Sequence, residues 1–140
     1  MTSQKFSSAA FVVRNRQFLF GKRSESSDWY ESVWDIFGGH SEHDEDPPDT
    51  LKRELQEELG IIPTLYNLYD SIEIADKVSG ETMLLHIYFI TDWMGGEPKN
   101  CSNEHSEIGW FAFEQLFALP LASDEYINII RLWLNMNVSL

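Results

Sequence analysis

Hydrophobic residues in this chain come in short blocks separated by polar breaks, and the spacing within each block predicts its element. Ala9 to Val13 is an apolar run of strand length. Asn15, Arg16 and Gln17 interrupt it, and Phe18-Leu19-Phe20 resumes it. Two apolar runs around a short polar break predict a hairpin. Ser24 to Glu31 is polar and reads as a loop, and Val33 to Phe37 predicts a short strand ahead of Gly38-Gly39. Ser41 to Asp49 is an acidic loop ending in Asp46-Pro47-Pro48-Asp49. Proline suits the first turn of a helix and aspartate caps one, so a helix begins near Pro47 or Pro48. Leu51, Leu55 and Leu59 give it an apolar stripe at helical spacing. Gly60 accepts the left-handed conformation that ends helices, and Pro63 opposes continuation.

Thr64 to Ala75 predicts a strand, and Lys77 to Glu81, with Ser79-Gly80, a turn. Met83 to Ile90 is a nearly continuous apolar run, the pattern of a strand buried on both faces. Asp92 to His105, with Gly95-Gly96 and Pro98, reads as a loop, and Ile108 to Phe113 as a strand. A short helix is expected over Glu114 to Leu119. A last one runs from about Ser123 to Met136, with Ile127, Ile130 and Leu134 on one face. Strands interleaved with two or three helices predict an α/β fold, a mixed sheet with helices packed on both sides.

Length adds one constraint: 140 residues suit a single domain, 1–140, and no repeat or interdomain linker divides them. Hydrophobic residues make up 43% and charged residues 24%, as in ordinary globular proteins. The net charge of −13 argues against a nucleic-acid polymer, whose binding rests on Lys and Arg, and against an anionic membrane surface. An acidic chain acting on an acidic substrate needs a bridging cation. Cys101 is the one cysteine, so no intrachain disulfide forms, as suits a reducing compartment. Met1 to Ala10 lacks a basic start followed by an apolar stretch. No run approaches the ~18 apolar residues of a membrane span. These features together predict a cytoplasmic location.

The helix from Pro47 to Leu59 carries the candidate chemistry. At ~100° per residue, Arg53, Glu54, Glu57 and Glu58 fall within about 140° of its circumference, and the leucines on a separate arc of about 80°. One face packs on the core and the next presents three carboxylates. Glu54 is i,i+3 from Glu57 and i,i+4 from Glu58, spacings at which like charges repel. Glu57 and Glu58 also sit at the end of the helix where acidic residues are disfavoured. Charge runs are ordinarily solvated faces. A divalent cation would relieve the repulsion, and oxygen ligands point to Mg²⁺ or Mn²⁺.

The full segment reads Gly39, five residues, Glu45, seven residues, Arg53-Glu54-Leu55, Gln56, Glu57-Glu58, Leu59, Gly60-Ile61. It resembles the signature of the Nudix hydrolase family with every specified position filled. The box covers 23 of the 140 residues. The resemblance implies an α/β/α sandwich and hydrolysis of a diphosphate linkage in a nucleotide-like small molecule, such as a nucleoside triphosphate or an oxidised nucleotide. By the same resemblance Glu57 and Glu58 are metal ligands, Glu54 a ligand or the general base, and Arg53 the residue orienting a catalytic glutamate. The backbone carbonyl of Gly38 is a further ligand position, while Gly39, Glu45 and Gly60 support the box. The family often has proline where this chain has Phe37, a position outside the motif.

Some family members supply another carboxylate from a later loop, for which Glu104 and Glu107 are the candidates. Arg23 and His40, with Lys22, are candidates for holding phosphate, Arg23 foremost because its fork matches phosphate oxygens. Trp34, Trp110 and Tyr88 lie in strands, where aromatics are ordinarily core. His86 reads as a hydrogen-bonded core residue. Two other functions share this fold. One is a nucleotide-binding module that cleaves nothing, although the intact box favours an enzyme. The other is an isomerase of isopentenyl diphosphate, which needs a reactive cysteine near the first active-site strand. The sequence leaves the leaving group, the attacked phosphorus, the number of metal ions and a homodimeric assembly open.

Overall fold

The computed structural model describes residues 5–24, 32–76 and 78–137. The loop expected over Ser24 to Glu31 lies, beyond Ser24, outside the described residues, as do Met1 to Gln4 and Lys77. Strands β1 (Phe6–Arg14) and β2 (Gln17–Arg23) form the expected hairpin. Its turn residues Asn15 and Arg16 have φ of 53° and 60°, a left-handed pair that matches the twist of the flanking strands.

The two strands then part, and the next segment fills the wedge between them. β3 (Trp34–Asp35) pairs with β2, and β4 (Phe37–His40) pairs with β1. The single strand expected over Val33 to Phe37 is therefore two, because the chain changes partners at Ile36. Gly38 and Gly39 lie within β4, not after a strand. β4 runs so close to β1 that a Cβ on Gly38 would stand 2.1 Å from the Ser8 carbonyl oxygen.

Helix α1 (Pro47–Leu59) starts and stops where its sequence dictates. Asp46 Oδ1 accepts from the Asp49 N–H at 3.0 Å, and Asp49 Oδ2 accepts from the Asp46 N–H at 3.2 Å, a reciprocal cap. Gly60 closes the helix at φ 72°, its N–H donating to the Gln56 carbonyl at 3.0 Å. β5 (Ile62–Ala75), β6 (Thr82–Met94) and β7 (His105–Ala112) follow, then a short 3₁₀ helix (Phe113–Ala118) and helix α2 (Glu125–Met136).

Among the described residues the sheet has seven strands, its main path ordered β3-β2-β1-β6-β5, with β4 beside β1 and β7 beside β2. β1 and β6 are parallel and the other strand pairs antiparallel, so the sheet is mixed. One face packs Ala10, Val12, Leu19 and Phe37 against the α1 leucines Leu51, Leu55 and Leu59. The other packs Phe11, Phe18, Phe20 and Phe89 against Ile130 and Trp133 of α2. The result is the α/β/α sandwich implied above.

The expectation for β6 needs correction. Burial on both faces holds for Ile87 to Ile90, whereas Leu84 is 43% exposed. Neither core reaches past Leu85, so the outer part of the β5–β6 ribbon has no helix over it. His86 sits on that partly covered stretch, its Nδ1 bonded to Ser71 Oγ at 2.7 Å. Trp34 and Tyr88 are core residues, as expected of strand aromatics.

Candidate active site

The buried leucine stripe fixes the rotation of α1 and so aims its charged arc at β4 and at the loop before β7. Ser8 Oγ donates to the Pro47 carbonyl at 2.9 Å, tying the helix start to β1. The Glu54 carboxylate lies directly over Gly39, where a Cβ would stand 2.5 Å from Glu54 Oε1. Glycine at 39 is thus a clearance for that carboxylate.

Arg53 organises one side of the site. Its Nε and Nη2 donate to the two oxygens of Glu45 at 2.6 and 3.0 Å, a fork-to-carboxylate pair. Nη1 donates to Glu54 Oε1 at 3.0 Å and to Glu57 Oε2 at 3.4 Å, and Nη2 also to the His40 carbonyl at 2.9 Å. Hydrogen bonds from Arg53 hold the Glu45 carboxyl down at about 2. These bonds leave Glu45 ionised and occupied, which makes it a support for Arg53. Burial raises the Glu54 carboxyl above its ordinary value against the pull of Arg53.

The other side is built by the loop that follows β6. The Lys99 N–H donates to the Leu59 carbonyl at 3.0 Å, and the Cys101 N–H to the Glu58 carbonyl at 2.9 Å. Carbonyls at the end of a helix have no partner within it, so the loop is drawn onto the end of α1. The Ser24 N–H donates to the Glu104 carbonyl at 2.9 Å and secures the loop to β2. Together these bonds bring Glu104 beside Glu58. Glu58 is 4% exposed, and its Oε2 accepts from the Gly38 N–H at 2.9 Å. Burial, then the hydrogen bond and charge of Glu104, push the Glu58 carboxyl up to about 10.

Among the described residues, Glu58, Glu104 and His105 each place a donor atom within 4.8 Å of the others. His105 was not singled out from the sequence. It reads there as the last residue of a loop, and only the irregular start of β7 turns it inward. Glu57 stays at the rim, its side chain 57% exposed. Glu107 is exposed and pairs in register with Lys22, on the same strand as His105 but, by alternation, on the face opposite Ile108. Arg23 ends β2 opposite His105. His40 is exposed, with its ring on Ser7 Oγ at 2.8 Å and its carbonyl given to Arg53. Gly38 contributes its N–H to Glu58. Cys101 is exposed beside Gly60, away from β1.

Arg53 thus gathers Glu45, Glu54 and Glu57, and Glu58 meets Glu104 on the other side of the site. Two of these carboxylates, Glu58 and Glu104, share a proton-holding contact that a divalent cation would replace. The oxygen-rich donor set fits such an ion.

A family model described as NUDIX domain matches residues 4–133. Over 114 residues the chain is 33% identical to the CTP pyrophosphohydrolase of Escherichia coli (strain K12), covering 81% of this chain and 80% of that protein. It is 32% identical over 92 residues to the 8-oxo-dGTP diphosphatase of Haemophilus influenzae, covering 64% and 65%. The solution structure of the E. coli ORF135 protein matches with a TM-score of 0.74 at 28% identity, over 99% of this chain and 94% of that one. A MutT NUDIX hydrolase from Burkholderia pseudomallei matches with a TM-score of 0.73 at 26% identity, over 91% and 96%. With the box of Gly39 to Ile61 folded around a carboxylate cluster, these likenesses place the chain in the Nudix hydrolase family, as a hydrolase acting on phosphoanhydride bonds.

Proposed function

We propose that this chain is a Mg²⁺-dependent nucleoside triphosphate pyrophosphohydrolase that releases a nucleoside monophosphate and pyrophosphate. The observation that carries the reading is the Glu58–Glu104 contact. Two carboxyl groups are held together, one of them buried, with Glu54 near both. Such a contact is costly for structure alone and useful for holding a cation. Pyrimidine and oxidised purine triphosphates come first as substrates, because the relatives named above act on CTP and on 8-oxo-dGTP.

Glu58, Glu104 and Glu57, with the Gly38 carbonyl, would hold Mg²⁺, and Mn²⁺ is the natural substitute. When bound, the ion lowers the pKa of water and neutralises charge on phosphoryl oxygens. The chain's own groups do the rest. Glu54 has Oε1 occupied by Arg53 Nη1, which leaves Oε2 to take a proton from the attacking water. Partial burial raises the affinity of Glu54 for that proton. Arg53, anchored on Glu45, keeps Glu54 and Glu57 in place. Arg23 at the end of β2 and His40 at the end of β4 stand where substrate phosphates would arrive. We place the activity in the cytoplasm, in a single-domain chain that works alone or as a homodimer.

The test is a panel of triphosphates, including CTP and 8-oxo-dGTP, with diphosphate sugars and dinucleotides, assayed with Mg²⁺ or Mn²⁺ and with products identified. Pyrophosphate and a monophosphate from at least one triphosphate support the proposal. Tight nucleotide binding without product after long incubation overturns it in favour of a binding module.

A further inference from the structure

β7 is irregular opposite the end of β2. Gly21 pairs with Ile108 and Lys22 with Glu107, but Arg23 pairs with His105, leaving Ser106 as an extra residue. Side chains alternate across a strand. Ile108 and Trp110 pack on the α1 side of the sheet, and Phe111 on the α2 side. Unbroken alternation would send His105 to the α2 side with Phe111. One inserted residue reverses that parity and re-aims the side chain. His105 accordingly lies against Phe37 of the α1-side core, their ring centroids 5.0 Å apart.

The placement is enforced from several directions. A Cβ on Gly21 would stand 2.5 Å from His105 Cδ2, so glycine there makes room for the ring. Asn100 Nδ2 donates to the His105 carbonyl at 2.8 Å and holds its backbone. The residue is 5% exposed, and Nδ1 is buried without a hydrogen-bond partner. A buried polar atom left unpaired costs about 1–3 kcal/mol, and native interiors hold few of them. One ring nitrogen lies within 4.8 Å of a Glu58 oxygen and of a Glu104 oxygen. Donor atoms sharing one cation lie about 3–4 Å apart, so a small inward movement would close the three around an ion.

We propose that His105 supplies an imidazole nitrogen to the cation site, so that the site that accepts Mg²⁺ through Glu58 and Glu104 binds a first-row transition cation such as Mn²⁺ more tightly. This rests on the cation-dependent reading given above and names the ion for its inner position. Imidazole favours transition ions, whereas Mg²⁺ prefers oxygen and retains its waters.

The experiment uses Mn²⁺ alone as the probe, added to the full chain without substrate. Continuous-wave electron paramagnetic resonance counts bound Mn²⁺, and pulsed measurements read nitrogen coupled to it. The wild type is expected to show a ¹⁴N coupling that changes on ¹⁵N-histidine labelling. His105→Phe, which keeps a ring against Phe37, should lose the coupling and bind Mn²⁺ about 10- to 100-fold more weakly, with Mg²⁺ affinity changed less than about threefold. His40→Gln should retain the coupling. The label marks all four histidines, so His105→Asn serves as a second variant for the assignment if His105→Phe folds poorly. Bound Mn²⁺ without nitrogen coupling, or coupling that survives His105→Phe, overturns the assignment of His105 and leaves the cation-dependent hydrolysis intact. Failure of Mn²⁺ to bind at all overturns both.

Discussion

The N–H of Cys101 donates to the carbonyl of Glu58 at 2.9 Å, so the loop that delivers Glu104 is fastened by its backbone to the residue Glu104 must meet. The thiol itself is exposed. Cys101→Ser should therefore leave kcat and Tm near wild type. Cys101→Pro removes the N–H, exposes a helix-end carbonyl and should cost about 1–3 kcal/mol of stability. Its kcat should fall at least about tenfold as Glu104 loses its position. Equal kcat in the two variants would show that the loop finds its place without this bond.

Glu58 trades stability for chemistry. Its folded-state carboxyl sits near 10, above the ordinary value of 4.5, because burial and Glu104 disfavour the charge. A raised carboxyl contributes stability that is present below the unfolded value and lost as pH rises through the folded one. In EDTA, the wild type should therefore lose stability steadily from about pH 5 to about pH 10, and Glu58→Gln should flatten that slope. At pH 8 the variant should have the higher Tm in EDTA and yet lose at least about 10³-fold in kcat. Denaturation curves across pH, with and without Mg²⁺, check both halves.

How much of this site the sequence could reveal depended on how local each cause was. Helix α1 was legible because its cap at Asp46, its leucine stripe and its stop at Gly60 all lie within one segment. The Arg53, Glu54, Glu57 and Glu58 arc followed from helical geometry and from the box. The Glu104 contact depends on helix-end carbonyls capturing a distant loop, so the sequence left Glu104 and Glu107 as equal candidates. His105 depends on one extra residue in β7, and a single bulge inverts any inference drawn from alternation. Glu57 shows the reverse case. Its ligand role comes from the family resemblance alone, and the fold sets it at the rim against Arg53, open to whatever the site receives.

The pair of Arg53 and Glu45 should be visible as acid resistance. Glu45 is held near 2 by Arg53, below its ordinary carboxylate value. A depressed carboxyl contributes stability that is present above the unfolded value and lost as pH falls through the folded one. The stability difference between wild type and Glu45→Gln should be about 1–3 kcal/mol at pH 6 and shrink between about pH 4.5 and pH 2. A difference that stays constant over that interval would remove the ionised pair as its source.

Gly39 is predicted to be intolerant of the smallest addition. A Cβ there would collide with Glu54 Oε1 at 2.5 Å, and the carboxylate, tethered to Arg53, would have to swing away. Gly39→Ala should lower kcat about 10- to 100-fold, since a misplacement near 1 Å costs that much when a reacting group is involved. The circular dichroism spectrum should stay that of the wild type.

Glu104 and Glu107 are three residues apart, and the fold separates their roles. Glu104 faces Glu58 and raises its carboxyl. Glu107 pairs in register with Lys22 and is exposed to solvent. Glu104→Gln should therefore lower kcat by about 10²-fold or more and weaken Mn²⁺ binding, while raising stability in EDTA by relieving the repulsion with Glu58. Glu107→Gln should stay within about twofold of wild type in kcat and within about 0.5 kcal/mol in stability, as surface substitutions do. Kinetics with Mn²⁺ titrations for both variants decide the matter. A larger loss at Glu107 than at Glu104 would mean that the loop docks on α1 in another register once substrate is present.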